Sequence, residues 1–204
     1  MEYRAEGFAG QRLYRVPRQA LRRIRSRPYT REFVVTDLGF FPPTPQHRVE
    51  RPIPLPGHVL ILVDRGQGWA RLEGREFALE AGNVLLLPKG LPHAYGAASK
   101  TPWSVYWFHF QGGGAEDLLA WTPFRSGRPT VTPPTPEPLR RHFRTIIGTV
   151  ERGYHDHCLL ELSRALINIL TLLHAPAHRR HRNRSLDRIE ETMSYMREHL
   201  DRAV

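Results

Sequence analysis

The feature that most constrains the fold is a run of short apolar segments between residues 32 and 110, divided by glycine turns and prolines and without a helical pattern. The segments are EFVVTDLGFF (32–41), HVLILV (58–63), WARLE and REFALE (69–80, a hairpin around Gly74), NVLLLP (83–88), LPHAYG (91–96) and WSVYWFHF (103–110). Each has the length of a β-strand and is rich in β-branched or aromatic residues. Strands at such short intervals favour an antiparallel sandwich or barrel.

Two proline-rich stretches flank this region. Residues 42–57 carry six prolines, Pro42, Pro43, Pro45, Pro52, Pro54 and Pro56. Proline lacks the N–H that a sheet ladder needs, so the stretch is predicted to be a loop or an edge strand. The second stretch, 123–138, is predicted to be a stiff linker.

Two helical patterns follow this linker within residues 139–174. Their apolar stripes repeat at spacings of three and four, and Gly153 separates them. The stripes are Leu139, Phe143, Ile146 and Val150, then Leu159, Leu162, Leu166, Ile169 and Leu173. The helices either pack on the barrel and on each other, or the second stripe pairs with a second copy of the chain. We assign the second stripe to a homodimer interface and keep intramolecular packing as the alternative.

The two ends of the chain are basic. The formal net charge is +10, and the basic residues are nearly all arginines. Residues 1–31 are predicted to be a basic arm and 175–184 a basic linker. In 185–204, Ser185 is a good helix N-cap and an apolar stripe follows it. This segment is interpreted as the first helix of a truncated second domain, because no later segment of the 204 residues is there for its apolar stripe to pack against.

Several classes of protein are excluded or disfavoured. No apolar run approaches the ~18 residues of a membrane span, and the N-terminus has no secretory signal pattern. The single cysteine, Cys158, cannot form a disulfide within the chain. We therefore expect a cytoplasmic protein without membrane contact.

One spacing motif is more specific: Gly82-x5-Pro88-x-Gly90-x2-His93. It resembles the second conserved motif of the cupin barrel, in which the histidine often binds a metal. The companion ligands of a cupin metal site are missing, since residues 58–80 offer only His58. We therefore predict no metal, no other cofactor and no catalytic residue.

The sequence as a whole resembles the ligand-binding domain of AraC-type transcription regulators. The resemblance is carried by Arg65-Gly66-Gln67-Gly68, Gly74-Arg75-Glu76-Phe77, Leu85-Leu86 and Tyr95-Gly96. It covers about 39–122 and continues more loosely through both helices. It implies a mainly β fold with α, namely a cupin-like antiparallel β-barrel (jelly roll, 32–122) followed by two antiparallel helices.

The resemblance also implies a ligand site. Arg51, Tyr95 and Trp107 match the positions that hold a sugar in the family, with Trp107 stacking on the ring and Arg51 bonding hydroxyls. His93 is expected to point into the same barrel. Val105 stands where the arabinose-binding pattern has a histidine, which weakens the case for arabinose. The expected ligand is a small polar molecule of the sugar class, with an apolar edge at Val105.

The implied function is an effector-sensing and dimerisation domain, with DNA bound only through a further C-terminal domain. The resemblance implies that 185–204 is the first helix of this DNA-binding domain, truncated here. The arm is expected to fold over the ligand. The alternatives are a small metal-dependent cupin enzyme, such as an isomerase or dioxygenase, and an interaction protein with a vestigial pocket.

Overall fold

The computed structural model of the chain describes residues 3–178 and 192–196. The strands are β1 (Arg12–Arg15), β2 (Val34–Phe41), β3 (Arg48–Arg51), β4 (His58–Arg65), β5 (Gln67–Leu72), β6 (Arg75–Glu80), β7 (Val84–Leu87), β8 (His93–Ala97), β9 (Ser104–Gln111) and β10 (Thr130–Val131). The helices are α1 (Arg18–Ser26), α2 (Gly113–Ala120), α3 (Glu137–Glu151) and α4 (Asp156–His178).

The strands form two antiparallel sheets that face each other. One has the order β1-β2-β9-β4-β7-β10 and the other β3-β8-β5-β6. In the first sheet the central strand β4 is buried on both faces, which explains its continuous apolar run HVLILV. In the second sheet, burial along β5 alternates because one face meets solvent. The predicted cupin-like barrel is confirmed.

Alternate residues of the first sheet enter two separate cores. On β4, Val59, Ile61 and Val63 point into the barrel between the sheets. Leu60 and Leu62 point outward and pack beneath the helices. The helices are therefore a second layer over the outer face of the first sheet, and α3 and α4 pack side by side there.

The predicted hairpin around Gly74 is also present. Leu72 on β5 pairs with Arg75 on β6, so the turn consists of Glu73 and Gly74. Both turn residues have positive φ, 48° and 75°. This conformation suits a tight hairpin turn whose twist matches that of the strands.

The proline-rich stretches contain more structure than their composition indicates. Within residues 42–57, β3 forms the edge of the second sheet, in agreement with the edge-strand alternative. Within the predicted linker 123–138, β10 pairs with β7 through Thr130 and Leu85, and α3 already begins at Glu137. The linker assignment is thereby corrected.

The N-terminal arm, 1–31, is likewise not a simple extension. Strand β1 pairs with β2, from Arg12 opposite Phe40 to Arg15 opposite Asp37. Helix α1 buries Ala20 and Ile24 in the outer core. The four arginines of α1 make the segment look unstructured by composition, but Ala20, Ile24 and the partly buried Leu21 pack the helix against the outer core.

The second apolar stripe lies inside the protomer. Leu159, Leu162, Leu166, Ile169 and Leu173 are each at most 3% exposed, within the core formed by the first sheet and the helices. Their assignment to a subunit interface is corrected, because side chains that fill the core of one subunit offer no surface to another. The outward face of α4 carries Leu160, which is 45% exposed.

Helix α4 extends to His178, so it includes the start of the predicted linker 175–184. The rest of that linker lies outside the described residues. So does most of the predicted segment 185–204, of which 192–196 are helical. None of the described helices is long and apolar enough to cross a membrane.

Candidate functional site

A cavity of about 140 Å³ lies in the barrel under the N-terminal arm, and we call it the arm cavity. Its lining residues come from the arm, from β1 to β3 and from β8 and β9. They are Ala5, Glu6, Leu13, Arg15, Asp37, Phe41, Val49, Arg51, Tyr95, Trp107 and His109. The cavity brings together Arg51, Tyr95 and Trp107, the residues predicted to hold a ligand.

Trp107 forms one wall of the arm cavity. Its ring packs against Phe41 and His109, with centroids 5.4 Å and 5.2 Å away. The indole Nε1 is buried, and no group in the described part of the chain accepts its hydrogen. A buried N–H donor without a partner costs free energy, which a hydrogen-bond acceptor at this atom would recover.

Tyr95 and Arg51 stand on neighbouring strands of the second sheet. Burial raises the pKa of Tyr95 to about 12, although the nearby Arg51 guanidinium lowers it. The phenol therefore keeps its proton at neutral pH and is able to donate a hydrogen bond. Arg51 is exposed at the end of β3, and its guanidinium provides a cationic fork for oxygen atoms.

Asp37 and His109 form a polar pair on the floor of the cavity. They are register partners on β2 and β9, with Asp37 Oδ2 3.6 Å from His109 Nδ1. An irregularity of the β2 register between Val35 and Asp37 lets Val35 face the outer core while Asp37 lines the cavity. Burial opposes ionisation of Asp37, but the nearby His109 ring and the Arg15 charge hold the pKa of this carboxyl below its usual value.

His93 lies beside the cavity rather than in its wall. It pairs in register with Arg51, and its ring stacks on Tyr95 with centroids 6.1 Å apart. It lines a neighbouring open groove that Arg51 also borders. Burial lowers the pKa of His93, so the ring is neutral and supports Tyr95. His93 therefore contacts a residue that lines the arm cavity, and its expected contact with the ligand stays a prediction.

Val105 is not part of the cavity wall. It is 1% exposed in the inner core, where it pairs in register with Phe41 and Val63. The expected contact between Val105 and a ligand edge is corrected, because Phe41 and Trp107 form the apolar part of the lining instead.

His47 supports the cavity from behind and was not anticipated from the sequence. Its Nδ1 accepts a hydrogen bond from Trp103 Nε1 at 3.0 Å. Its ring contacts Phe8, Phe41 and Tyr95. Burial lowers the pKa of His47 to about 4, so this aromatic cluster holds a neutral histidine. His47 lies in the proline-rich stretch 42–57, and nothing in the sequence there indicated a buried residue beside the site.

The N-terminal arm covers the cavity. Arg4 bonds through its backbone to Gln46 and Arg48, beside the second sheet. Phe8 is 6% exposed and packs against Phe41. Glu6 on the arm pairs with Arg15 at 3.2 Å, next to Asp37. The arm therefore closes the cavity with both apolar and charged contacts.

Metal ligands are not assembled around the cavity. Within residues 3–178 and 192–196, no three side chains of histidine, cysteine, aspartate or glutamate come together in a way that holds a metal ion. His93, the histidine of the cupin-like motif, lies with its Nδ1 3.0 Å from the Leu91 carbonyl oxygen and its ring stacked on Tyr95.

A barrel of two antiparallel sheets that encloses a covered polar cavity defines a ligand-binding protein of the cupin type. The family description "AraC-like ligand binding domain" matches residues 38–186. The chain belongs to this family, as its sequence motifs indicated.

Two operon regulatory proteins are similar to the chain in sequence. It is 33% identical over 200 residues to the MmsAB operon regulatory protein of Pseudomonas aeruginosa, across 91% of this chain and 60% of that one. It is 39% identical over 61 residues to the arabinose operon regulatory protein of Escherichia coli, across 30% of this chain and 20% of that one. The chain thus spans less than two thirds of either relative.

Among solved structures, a cupin-like protein from Thermotoga maritima matches with a TM-score of 0.36 and 18% identity, over 53% of this chain and 78% of that one.

Proposed function

We propose that this chain is the effector-sensing part of a transcription regulator, and that the effector is a small polar molecule of the sugar class bound in the arm cavity. The observation that carries this proposal is the buried, unpartnered Nε1 of Trp107 among the described residues. It lies in one cavity with Arg51 and Tyr95, which supply further donors. Both relatives are operon regulatory proteins, which supports the regulatory role.

The size of the cavity favours a compact ligand. Its volume of about 140 Å³ corresponds to roughly five waters at ~30 Å³ each, well below the ~300–1,000 Å³ of pockets for drug-sized molecules. Its wall alternates aromatic faces with charged groups, Asp37 and Arg51 among them. A polyol presents C–H faces to aromatic rings and hydroxyls to such groups.

Regulation is proposed to act through the arm and through a second subunit. A ligand that bonds Trp107 and Arg51 under the arm adds contacts to the closed state and therefore favours it.

We propose a homodimer through the outward face of α4, where Leu160 is exposed and Ile167 is half-buried. DNA is proposed to be contacted through a further domain, in the cytoplasm.

A calorimetric titration with a panel of pentoses and hexoses tests the proposal. One sugar is expected to bind. Trp107→Phe, which keeps a ring but removes the N–H, is expected to weaken binding by about tenfold, and Trp107→Ala by more. Arg51→Ala is expected to weaken it as well, whereas Arg65→Ala, which removes an exposed arginine outside the cavity, leaves it unchanged.

Binding that neither Trp107→Ala nor Arg51→Ala affects would place the effector elsewhere. Stoichiometric tightly bound metal in the purified protein, lost in His93→Ala, would favour the alternative of a metal-dependent cupin enzyme.

A further inference from the structure

A second cavity, of about 350 Å³, lies between α2, the β5–β6 turn and the segment 124–129. We call it the α2 cavity. It shares no lining residue with the arm cavity. Most of its wall is apolar, formed by Leu72, Phe77, Leu86, Leu91, Leu119 and Phe124. Its size is within the range of small-molecule sites, which are mainly apolar with a few placed polar groups.

The placed polar group here is His58. Its ring is 8% exposed and stacks on Phe110, with centroids 5.2 Å apart. The backbone N–H of Lys89 donates to His58 Nδ1 at 3.3 Å, so the proton of the neutral ring is on Nε2. That Nε2 is buried and has no hydrogen-bond partner among the described residues. The wall therefore presents one fixed donor that needs an oxygen acceptor.

The charged groups around the α2 cavity are already engaged. Glu116 pairs with Lys89, and the Arg125 guanidinium donates to the Phe124 carbonyl at 2.6 Å. Glu73 lies on the rim and bonds Ser126. A ligand carboxylate would be repelled by the carboxylates of Glu73 and Glu116. A ligand ammonium would have to compete with Lys89 for Glu116. Neither sign of charge is favoured beside a neutral histidine.

We propose that the α2 cavity is a second ligand site, for an uncharged, mainly aliphatic molecule with one hydroxyl or carbonyl oxygen that accepts the Nε2–H of His58. The aliphatic part fills the apolar wall between Phe77 and Leu119, and the oxygen satisfies the unpaired donor. This inference is independent of the effector proposed for the arm cavity.

Calorimetric titration of the 204-residue chain with octan-2-one tests the proposal. The wild-type protein is expected to bind it, and to bind octanoate and octylamine more weakly. His58→Leu is expected to weaken octan-2-one binding by roughly tenfold, the value of one buried hydrogen bond. His58→Gln keeps both an acceptor for Lys89 N–H and a donor for the ligand, and is expected to stay within about twofold of wild type.

Two further variants locate the ligand. Ala120→Trp adds a ring at an exposed position in the lining and is expected to abolish binding. Trp107→Ala changes the other cavity and is expected to leave octan-2-one binding unchanged. The proposal is overturned if octan-2-one does not bind, if His58→Leu and Ala120→Trp both bind it normally, or if octanoate binds more tightly than the ketone.

Discussion

Gly39 on β2 lies directly against the indole ring of Trp107 on β9, its register partner. A Cβ at residue 39 would stand 3.0 Å from Trp107 Cζ2 and 2.3 Å from the carbonyl oxygen of Arg12. Because Gly39 has no side chain, the Trp107 ring can lie against β2 from β9 while β1 pairs with the other edge of β2.

The first prediction is that Gly39→Ala damages both stability and binding. The methyl group forces apart the strand β1 and the Trp107 ring, at an expected cost of about 1–3 kcal/mol in the free energy of unfolding. Because Trp107 moves, effector affinity is expected to fall as well. Urea unfolding and calorimetry measure the two effects.

Gly148 provides the matched control. It lies within α3, and a Cβ there would meet no atom within 4 Å. Gly148→Ala is expected to stabilise the protein by about 0.5–1 kcal/mol, because alanine loses less backbone entropy in a helix. A stability loss equal to that of Gly39→Ala would contradict the close contact as the cause.

The second prediction separates the two faces of α4. Leu166 is completely buried, so Leu166→Ala is expected to cost about 2–5 kcal/mol of folding stability. Leu160 is 45% exposed, and Leu160→Glu is expected to leave the fold intact but to dissociate a dimer formed through this face. Sedimentation at several concentrations measures the second effect. A dimer that persists in Leu160→Glu and in Ile167→Glu would place the interface on another surface.

The third prediction concerns acid sensitivity. Burial lowers the pKa of His47 from 6.5 to about 4 in the folded protein. Between these values the unfolded chain binds a proton that the folded protein excludes, so stability falls as the pH falls. At 1.36 kcal/mol per pKa unit, the loss from pH 6.5 to 4 is about 3 kcal/mol. His58 and His93, whose pKa values burial also lowers, add to this slope.

Unfolding by urea at a series of pH values measures the dependence. His47→Gln keeps an acceptor for Trp103 Nε1 but does not titrate, so its stability is expected to depend less on pH. His157→Gln, at an exposed position, is expected to retain the wild-type slope. An unchanged slope in His47→Gln would show that His47 does not cause it.

The fourth prediction tests the arm as a cover. Phe8 anchors the arm on Phe41 and His47, so Phe8→Ala is expected to raise the dissociation rate of the effector severalfold by favouring arm opening. Tyr3→Ala removes an aromatic group that is 56% exposed and is expected to change the rate little. Stopped-flow dissociation measures both, and equal rates in Phe8→Ala and wild type would contradict a covering role.

Local sequence determined much of the barrel. The Glu73-Gly74 turn and the flanking alternation specify the β5–β6 hairpin, because turn geometry and pairing depend on adjacent residues. The apolar run of β4 predicts a strand, and the structure shows that it is buried on both faces. Arg51, Tyr95 and Trp107 were found by resemblance to a family, and the structure lines one cavity with them.

Tertiary structure decided what depends on distant partners. The stripe from Leu159 to Leu173 is equally suited to a second subunit and to the sheet that covers it, so only the folded chain shows which surface it meets. His47 and Asp37 enter the site because β9 and the arm approach them from far along the sequence. Val105 shares a strand face with Trp107, yet it packs in the inner core beside Phe41 and Val63 and does not line the cavity. The alternation along one strand gives the face of each residue, but only the neighbouring strands decide which residues of that face border a cavity.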